Sequence, residues 1–104
     1  MSDWIEVGEI EAIPRLSARV IETDQGDIAV FRTSKDEIFA LADHCPHKGG
    51  PLSQGIVHGA RVTCPLHNLV MDLTNGEAVA PDEGCAIRFP VKVDQGKIFL
   101  SLKG

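Results

Sequence analysis

The sequence predicts an all-β domain of short antiparallel strands and hairpins, and three observations support this. Short runs rich in Val, Ile, Phe and Leu recur along the chain, and several of them alternate apolar with polar side chains. Turn sequences rich in Asp, Asn and Gly separate the runs. The chain has 104 residues, the length of one small domain, so we expect residues 1–104 to form a single domain.

The elements follow in chain order from these runs. A short helical turn is expected near Gly8 to Ile13, and Pro14 ends it because its ring cannot continue a helix. The predicted strands are Ser17–Thr23, Asp27–Arg32, Ile38–Ala42, Val70–Leu73, Ile87–Val93 and Lys97–Leu102. Asn75-Gly76 is the strongest turn signal, because a type I′ turn needs positive φ at both central residues and these two tolerate it.

Composition and charge exclude several classes of function. The chain has 10 Lys and Arg against 15 Asp and Glu, a net charge of −5, which argues against nucleic acid or an anionic membrane as the partner. No apolar run approaches the ~18 residues of a membrane span, and the acidic start lacks the basic and apolar regions of a secretory signal. We therefore expect a cytoplasmic protein whose cysteines are thiols or metal ligands rather than disulfides.

The middle of the chain carries two short motifs that combine cysteine with histidine. Cys45-Pro46-His47 and Cys64-Pro65-Leu66-His67 form the pattern C-x-H-x16-C-x-x-H. A Cys2His2 zinc site is one interpretation, although zinc fingers usually place two cysteines on one knuckle and two histidines on a helix. A [2Fe–2S] cluster explains the pairing better, because one iron can take both cysteines and the other both histidines.

CPHKGGPLSQG followed by CPLHN resembles the Rieske [2Fe–2S] motif, whose two loops carry C-x-H and C-x-x-H. The resemblance extends over essentially the whole chain, including the closing strands. It implies a Rieske-type iron–sulfur domain with two cluster-binding loops at one tip of small sheets. It also implies that Cys45 and Cys64 bind one iron and that His47 and His67 bind the other. Pro81 would belong to a lid over the cluster.

The ligand set bears on the reduction potential. Two thiolates instead of four leave the oxidised cluster core uncharged, so reduction is easier and potentials of about −150 to +300 mV result. The chain contains no Tyr, and Gly50 and Leu66 stand where high-potential Rieske proteins carry an extra cysteine in each loop. The resemblance therefore implies the low end of the range, roughly −150 to 0 mV.

A Rieske domain without other cofactor motifs implies a one-electron carrier, and three uses remain open. The run HKGGPLSQGIVHGARVTCPLHNLVMDLTNGEA, with the later PDEGC, resembles small subunits of NAD(P)H-dependent nitrite reductase. That resemblance implies a large partner subunit with siroheme, flavin and an iron–sulfur centre, where nitrite is reduced to ammonium. The alternative is the ferredoxin of an aromatic-ring dioxygenase or monooxygenase, which more often has Gly-x-x-Phe-Asp where this chain has Asn68 to Asp72. The third use is a structural subunit without a redox role.

Outside the two motifs the residues have simpler interpretations. His44 is expected to have a surface or hydrogen-bonding role, and His58 to be solvated. Cys85 is expected as a small buried hydrophobe. Trp4 is expected in packing at the domain edge, with contact to a partner as the alternative. We predict no catalytic residue, because no Ser-His-Asp set or glycine-rich phosphate loop is present in the sequence.

Overall fold

The structure, a computed structural model, describes residues 4–24, 26–44, 51–64, 69–79 and 84–102. Its strands are β1 Trp4–Glu9, β2 Ser17–Thr23, β3 Gly26–Arg32, β4 Ile38–Ala42, β5 Ile56–His58, β6 Arg61–Thr63, β7 Val70–Asp72, β8 Glu77–Ala78, β9 Arg88–Phe89, β10 Val91–Asp94 and β11 Lys97–Ser101. Short 3-10 helices cover Ile10–Ala12 and Leu52–Gln54. The prediction of an all-β fold with small antiparallel sheets is confirmed.

Within the described ranges the strands form three antiparallel sheets. Sheet A has the order β1-β11-β10, sheet B the order β2-β3-β4-β9, and sheet C the order β5-β6-β7-β8. Pro90 alone separates β9 of sheet B from β10 of sheet A. Sheet C lies between β4 and β9 in the chain, so it is an insertion into the framework that sheets A and B form.

Strand β3 lies at the centre of the fold because both of its faces are buried. Ile28 and Val30 belong to an apolar core that includes Ile98 and Leu100 of sheet A. The alternate residues, Ala29 and Phe31, belong to a second core with the side chains of sheet C. Sheet B therefore lies between sheets A and C and supports the sheet that carries the second Cys/His motif.

Two of the predicted strands, Ser17–Thr23 and Ile38–Ala42, have the predicted boundaries. The predicted strand Ile87–Val93 is divided at Pro90, which has no N–H to donate to a sheet ladder. Phe89 pairs with Ala40 in sheet B, and the chain beyond the proline pairs with β11 in sheet A.

Four strands, β1, β5, β6 and β8, were not predicted from the sequence. Strands β5, β6 and β8 have only two or three residues, too few for a periodic pattern. Strand β1 takes up Gly8 and Glu9, so the helical turn expected near Gly8 to Ile13 is reduced to Ile10–Ala12.

A turn is present at Asn75-Gly76, as predicted, but it is not of type I′. Gly76 has a φ of 75°, but Asn75 is not among the residues with positive φ. Its side chain instead accepts a hydrogen bond from the N–H of Glu77 at 2.9 Å. Positive φ at two successive residues occurs at Gln95 and Gly96, 52° and 78°, in the two-residue connection between β10 and β11.

A buried arginine ties the start of the chain to the β3–β4 turn. Arg32 is nine-tenths buried and donates hydrogen bonds to the carbonyl oxygens of Ile10, at 3.0 Å, and Ile13, at 2.8 Å. It also binds the carboxylate of Asp36, which has a left-handed φ of 63°. Hydrogen bonds from Arg15 and then Arg32 lower the pKa of Asp36 to about 2.

Candidate metal centre

Cys64 follows β6 directly, and its side chain is fully buried. Its backbone N–H donates to the carbonyl oxygen of Leu69 at 2.7 Å. This bond continues the β6–β7 ladder beyond the pair formed by Thr63 and Val70. The two ends of the segment 65–68, which contains His67, are therefore held together by the sheet.

Asp43 holds the two flanks of the first motif together. Its carboxylate accepts hydrogen bonds from the backbone N–H of Ser53 at 2.7 Å and from the Ser53 hydroxyl at 2.8 Å. Its own N–H donates to the carbonyl oxygen of Asp27 at 2.9 Å, which anchors it to sheet B. The segment that contains Cys45 and His47 thus begins and ends at a fixed point of the fold.

The flanks of the two motifs meet at the start of sheet C. Ile56 pairs with Thr63, so Gly55 lies beside the strand end that leads into Cys64. The approach is so close that a Cβ atom at Gly55 would overlap the carbonyl oxygen of Thr63. Leu52, which follows the first motif, belongs to the same buried cluster as Cys64 and Leu69.

A third segment, the flanks of residues 80–83, also lies against sheet C. The N–H of Val79 donates to the carbonyl oxygen of Val70 at 2.8 Å, and the N–H of Ala78 donates to that of Gly84 at 2.9 Å. The flanks of residues 80–83 therefore lie beside the strand that follows the second motif. The Pro81 lid itself falls outside the described residues.

One of the four predicted ligands, Cys64, falls within the described ranges. Cys45, His47 and His67 lie outside them, so the ligand set stays a prediction. Among the described residues, no group of three or more His, Cys, Asp or Glu side chains is arranged to hold a metal ion. What the structure contributes is the position of Cys64 and of the flanking segments.

The surroundings of Cys64 fit an iron–sulfur cluster. The sulfur is a soft donor, and its residue is packed among apolar side chains, where an uncompensated thiolate would be costly. A positively charged iron would supply the compensation that such a thiolate needs. The buried thiol and the closely held flanks of both motifs are therefore compatible with the predicted centre.

Asp43, Ser53 and Gly55 were missed by the sequence reasoning. No local signal distinguishes Asp43 or Ser53 from other polar residues next to turns, because their hydrogen bonds join positions ten residues apart. Gly55 stands in a Gly- and Pro-rich stretch, and only the pairing of β5 with β6 shows why a side chain is excluded there.

The other singled-out residues have mixed outcomes. His44 and His58 are exposed, as predicted, and His58 Nε2 lies 2.7 Å from the Thr63 hydroxyl. Trp4 is partly buried in β1, and the Lys92 ammonium lies 4.7 Å from the centre of its ring. The prediction that Cys85 is buried is wrong: it is exposed, because the neighbouring Ala86 takes the place against the core.

Comparison with known proteins finds similarity over nearly the whole chain. The Rieske-like [2Fe-2S] domain family matches residues 3–101. The anthranilate 1,2-dioxygenase ferredoxin subunit of Burkholderia cepacia is 31% identical over 99 residues, which cover 94% of this chain and 91% of that protein. Among the described residues, no helix is long and apolar enough to cross a membrane.

Solved structures share the fold. The ferredoxin of carbazole 1,9a-dioxygenase from Nocardioides aromaticivorans IC177 superposes with a TM-score of 0.87 at 23% identity, over 98% of this chain and 100% of that one. A candidate NADH-dependent nitrite reductase small subunit from Mycobacterium tuberculosis gives a TM-score of 0.84 at 20% identity, over 93% and 92%. The motif, the fold and the matched family agree, and the chain belongs to the Rieske-like [2Fe-2S] domain family, with a Rieske-type [2Fe–2S] cluster as its cofactor.

Proposed function

We propose that this chain carries single electrons within a multi-component oxidoreductase, as one domain over residues 1–104. Cys45 and Cys64 bind one iron, and His47 and His67 bind the other. The observation that carries this proposal is the location of fully buried Cys64 where the flanks of both motifs meet. The spacing of the two motifs supports the ligand set.

When bound, the cluster would supply one-electron chemistry, the acceptance and release of a single electron. The surrounding residues limit structural change during that step. Asp43 and Ser53 hold the flanks of the first motif, and the bond between Cys64 and Leu69 holds those of the second. Leu52 and Leu69 are buried beside Cys64 and exclude water from the cysteine side of the site.

For the partner, we propose the large subunit of a cytoplasmic NAD(P)H-dependent nitrite reductase, in which nitrite is reduced to ammonium. The support is the sequence around the two motifs. Gly49-Gly50-Pro51 comes shortly after His47, and Asn68 to Asp72 come directly after His67. The large subunit would carry siroheme, flavin and an iron–sulfur centre. The small chain would assist electron flow or assembly.

A second candidate is the ferredoxin of an aromatic-ring dioxygenase or monooxygenase. The 31% identity with the anthranilate 1,2-dioxygenase ferredoxin subunit favours it, because the two chains match over nearly their full lengths. This similarity favours the second candidate at least as strongly as the residues around the motifs favour nitrite reductase. In this case the partner is an oxygenase, and the chain carries electrons to it.

The first experiment tests the cluster and its ligands. Protein purified without oxygen should be red-brown, contain iron rather than zinc, and give on reduction the low average g value of a histidine-ligated cluster. Cys64→Ser or His47→Ala should abolish the colour, while Cys85→Ser, the matched change at an exposed cysteine, should retain it. A colourless protein that contains zinc would rule out the electron-carrier function and leave only the role of a structural subunit. Colour in the Cys64→Ser protein would overturn the ligand assignment.

The second experiment identifies the partner. Anaerobic cross-linking in the native cell, followed by mass spectrometry, should recover a siroheme protein if the nitrite reductase proposal is correct. Recovery of an oxygenase would instead establish the second candidate. The purified partner should then exchange electrons with the chain.

A midpoint potential above about +100 mV would contradict the low-potential assignment.

A further inference from the structure

A groove lies between two edge strands, β1 of sheet A and β2 of sheet B. It encloses about 270 Å³. Ile5, Ile21 and Leu102 form its walls, and the fully buried Leu100 lies at its base. Ile5 is 46% exposed, so the groove presents an aliphatic surface to solvent.

The rim of the groove is acidic. Glu22 and Asp24 line it, and Asp27 lies opposite Glu22 in the β2–β3 pairing. The sequence has no Lys or Arg from residue 20 to residue 31. None of the salt bridges among the described residues involves these three carboxylates. Arg19, the preceding cation on β2, lies against Gly8 of β1.

The acidic hairpin is connected to the candidate metal centre. The carbonyl oxygen of Asp27 accepts a 2.9 Å hydrogen bond from the N–H of Asp43. Asp43 stands two residues before Cys45 and is bound to Ser53 on the other flank of the first motif. A molecule that docks on the hairpin therefore lies next to the segment that enters the centre.

We propose that the β1–β2 groove is a docking site for the electron-transfer partner, and that it receives an aliphatic side chain flanked by Lys or Arg. The charge of the rim, together with the net charge of −5, specifies a basic partner surface. The aliphatic walls specify an apolar anchor, because moving an apolar side chain out of water and into such a pocket stabilises a complex. The proposal rests on the electron-carrier function proposed above.

Two matched pairs of variants test the groove against the purified partner, with association followed by stopped flow. Asp24→Lys should lower the association rate about tenfold at low salt and far less at high salt, because the rim acts through screened charge. Ile5→Thr should raise the dissociation rate about tenfold at all salt concentrations, because two carbon atoms leave the pocket. The controls are Asp94→Lys, at the β10–β11 turn, and Val93→Thr, at a valine 44% exposed.

The controls should bind the partner as the unsubstituted chain does. Equal effects in each test and control pair would overturn the groove as the docking site, while electron transfer itself would still support the proposed function. If a chain with an intact cluster exchanged electrons with neither a siroheme reductase nor an oxygenase, the proposed function would fail.

A peptide probe decides the groove independently of the partner. Acetyl-Lys-Leu-Lys-amide is titrated into the methyl-labelled holo protein, with acetyl-Glu-Leu-Glu-amide as its control. The basic peptide should shift the methyl resonances of Ile5, Ile21, Leu100 and Leu102, and Asp24→Lys should weaken those shifts. Scattered shifts, no shifts, or equal shifts with the acidic peptide would refute the proposed ligand chemistry.

Discussion

Arg32→Ala is expected to destabilise the whole domain, although Arg32 belongs to neither Cys/His motif. The side chain is 6% exposed and bonds to the carbonyl oxygens of Ile10 and Ile13 and to the Asp36 carboxylate. Ile13 is itself buried, at 3% exposure, so little water can replace the guanidinium there. The substitution therefore removes charged hydrogen bonds and leaves the Ile13 carbonyl oxygen without its arginine donor, whereas the Ile10 carbonyl oxygen keeps a 3.1 Å hydrogen bond from the N–H of Ile13.

The magnitude follows from these contacts. Hydrogen bonds to charged groups contribute about 1.5–3 kcal/mol each, and an abandoned buried acceptor costs about 1–3 kcal/mol. Arg32→Ala removes two hydrogen bonds to carbonyl oxygens, a partly buried one to Ile10 and a buried one to Ile13. We therefore expect a loss of about 3–5 kcal/mol in the free energy of unfolding. A domain of this size has about 5–15 kcal/mol in total, so the loss is a large fraction of the whole stability.

Urea unfolding, followed by far-UV circular dichroism, measures this loss as a lower midpoint. Arg15→Ala is the matched control, because Arg15 binds the same carboxylate but its side chain is 61% exposed. It should change the midpoint little, since exposed ion pairs are weak. Arg32→Lys should recover part of the loss, because lysine keeps the charge without the planar set of donors. Equal midpoints for Arg32→Ala and Arg15→Ala would refute this account.

Three further predictions follow from the structure. The pKa of Asp36, lowered to about 2, implies a stabilising contribution that is present above about pH 4 and lost as the pH falls toward 2. Acid titration of the unfolding midpoint should therefore be shallower in Asp36→Asn, and identical titrations would contradict the assignment. Asp43→Ala, which frees Ser53, should release iron faster to a chelator, as measured by the loss of visible absorbance; an unchanged rate would show that the clamp is dispensable. Gly55→Ala should lower the urea midpoint by the equivalent of about 1–3 kcal/mol, because the new methyl group overlaps the Thr63 carbonyl oxygen, and an unchanged midpoint would show that the strands can separate at no cost.

The sequence alone was sufficient where the information is local. Alternation and turn residues located Ser17–Thr23 and Ile38–Ala42 at their observed boundaries. The spacing of cysteine and histidine in the two motifs, together with the resemblance of the whole chain, predicted the family that the comparisons confirm. Residue type and short-range spacing express both kinds of signal, so no tertiary information was needed.

Tertiary structure decided what depends on pairing between distant segments. Pro90 marks where Ile87–Val93 can divide, but only the packed sheets show that Phe89 pairs in sheet B and Val91 in sheet A. The exposure of Cys85 follows from which neighbour reaches the core. Gly55 meets Thr63 because β5 pairs with β6, and Asp43 meets Ser53 across the first motif; no pattern within a single segment encodes either contact. The order of residues determines the side-chain chemistry of each segment, whereas the distances between segments are set only when the sheets pack together.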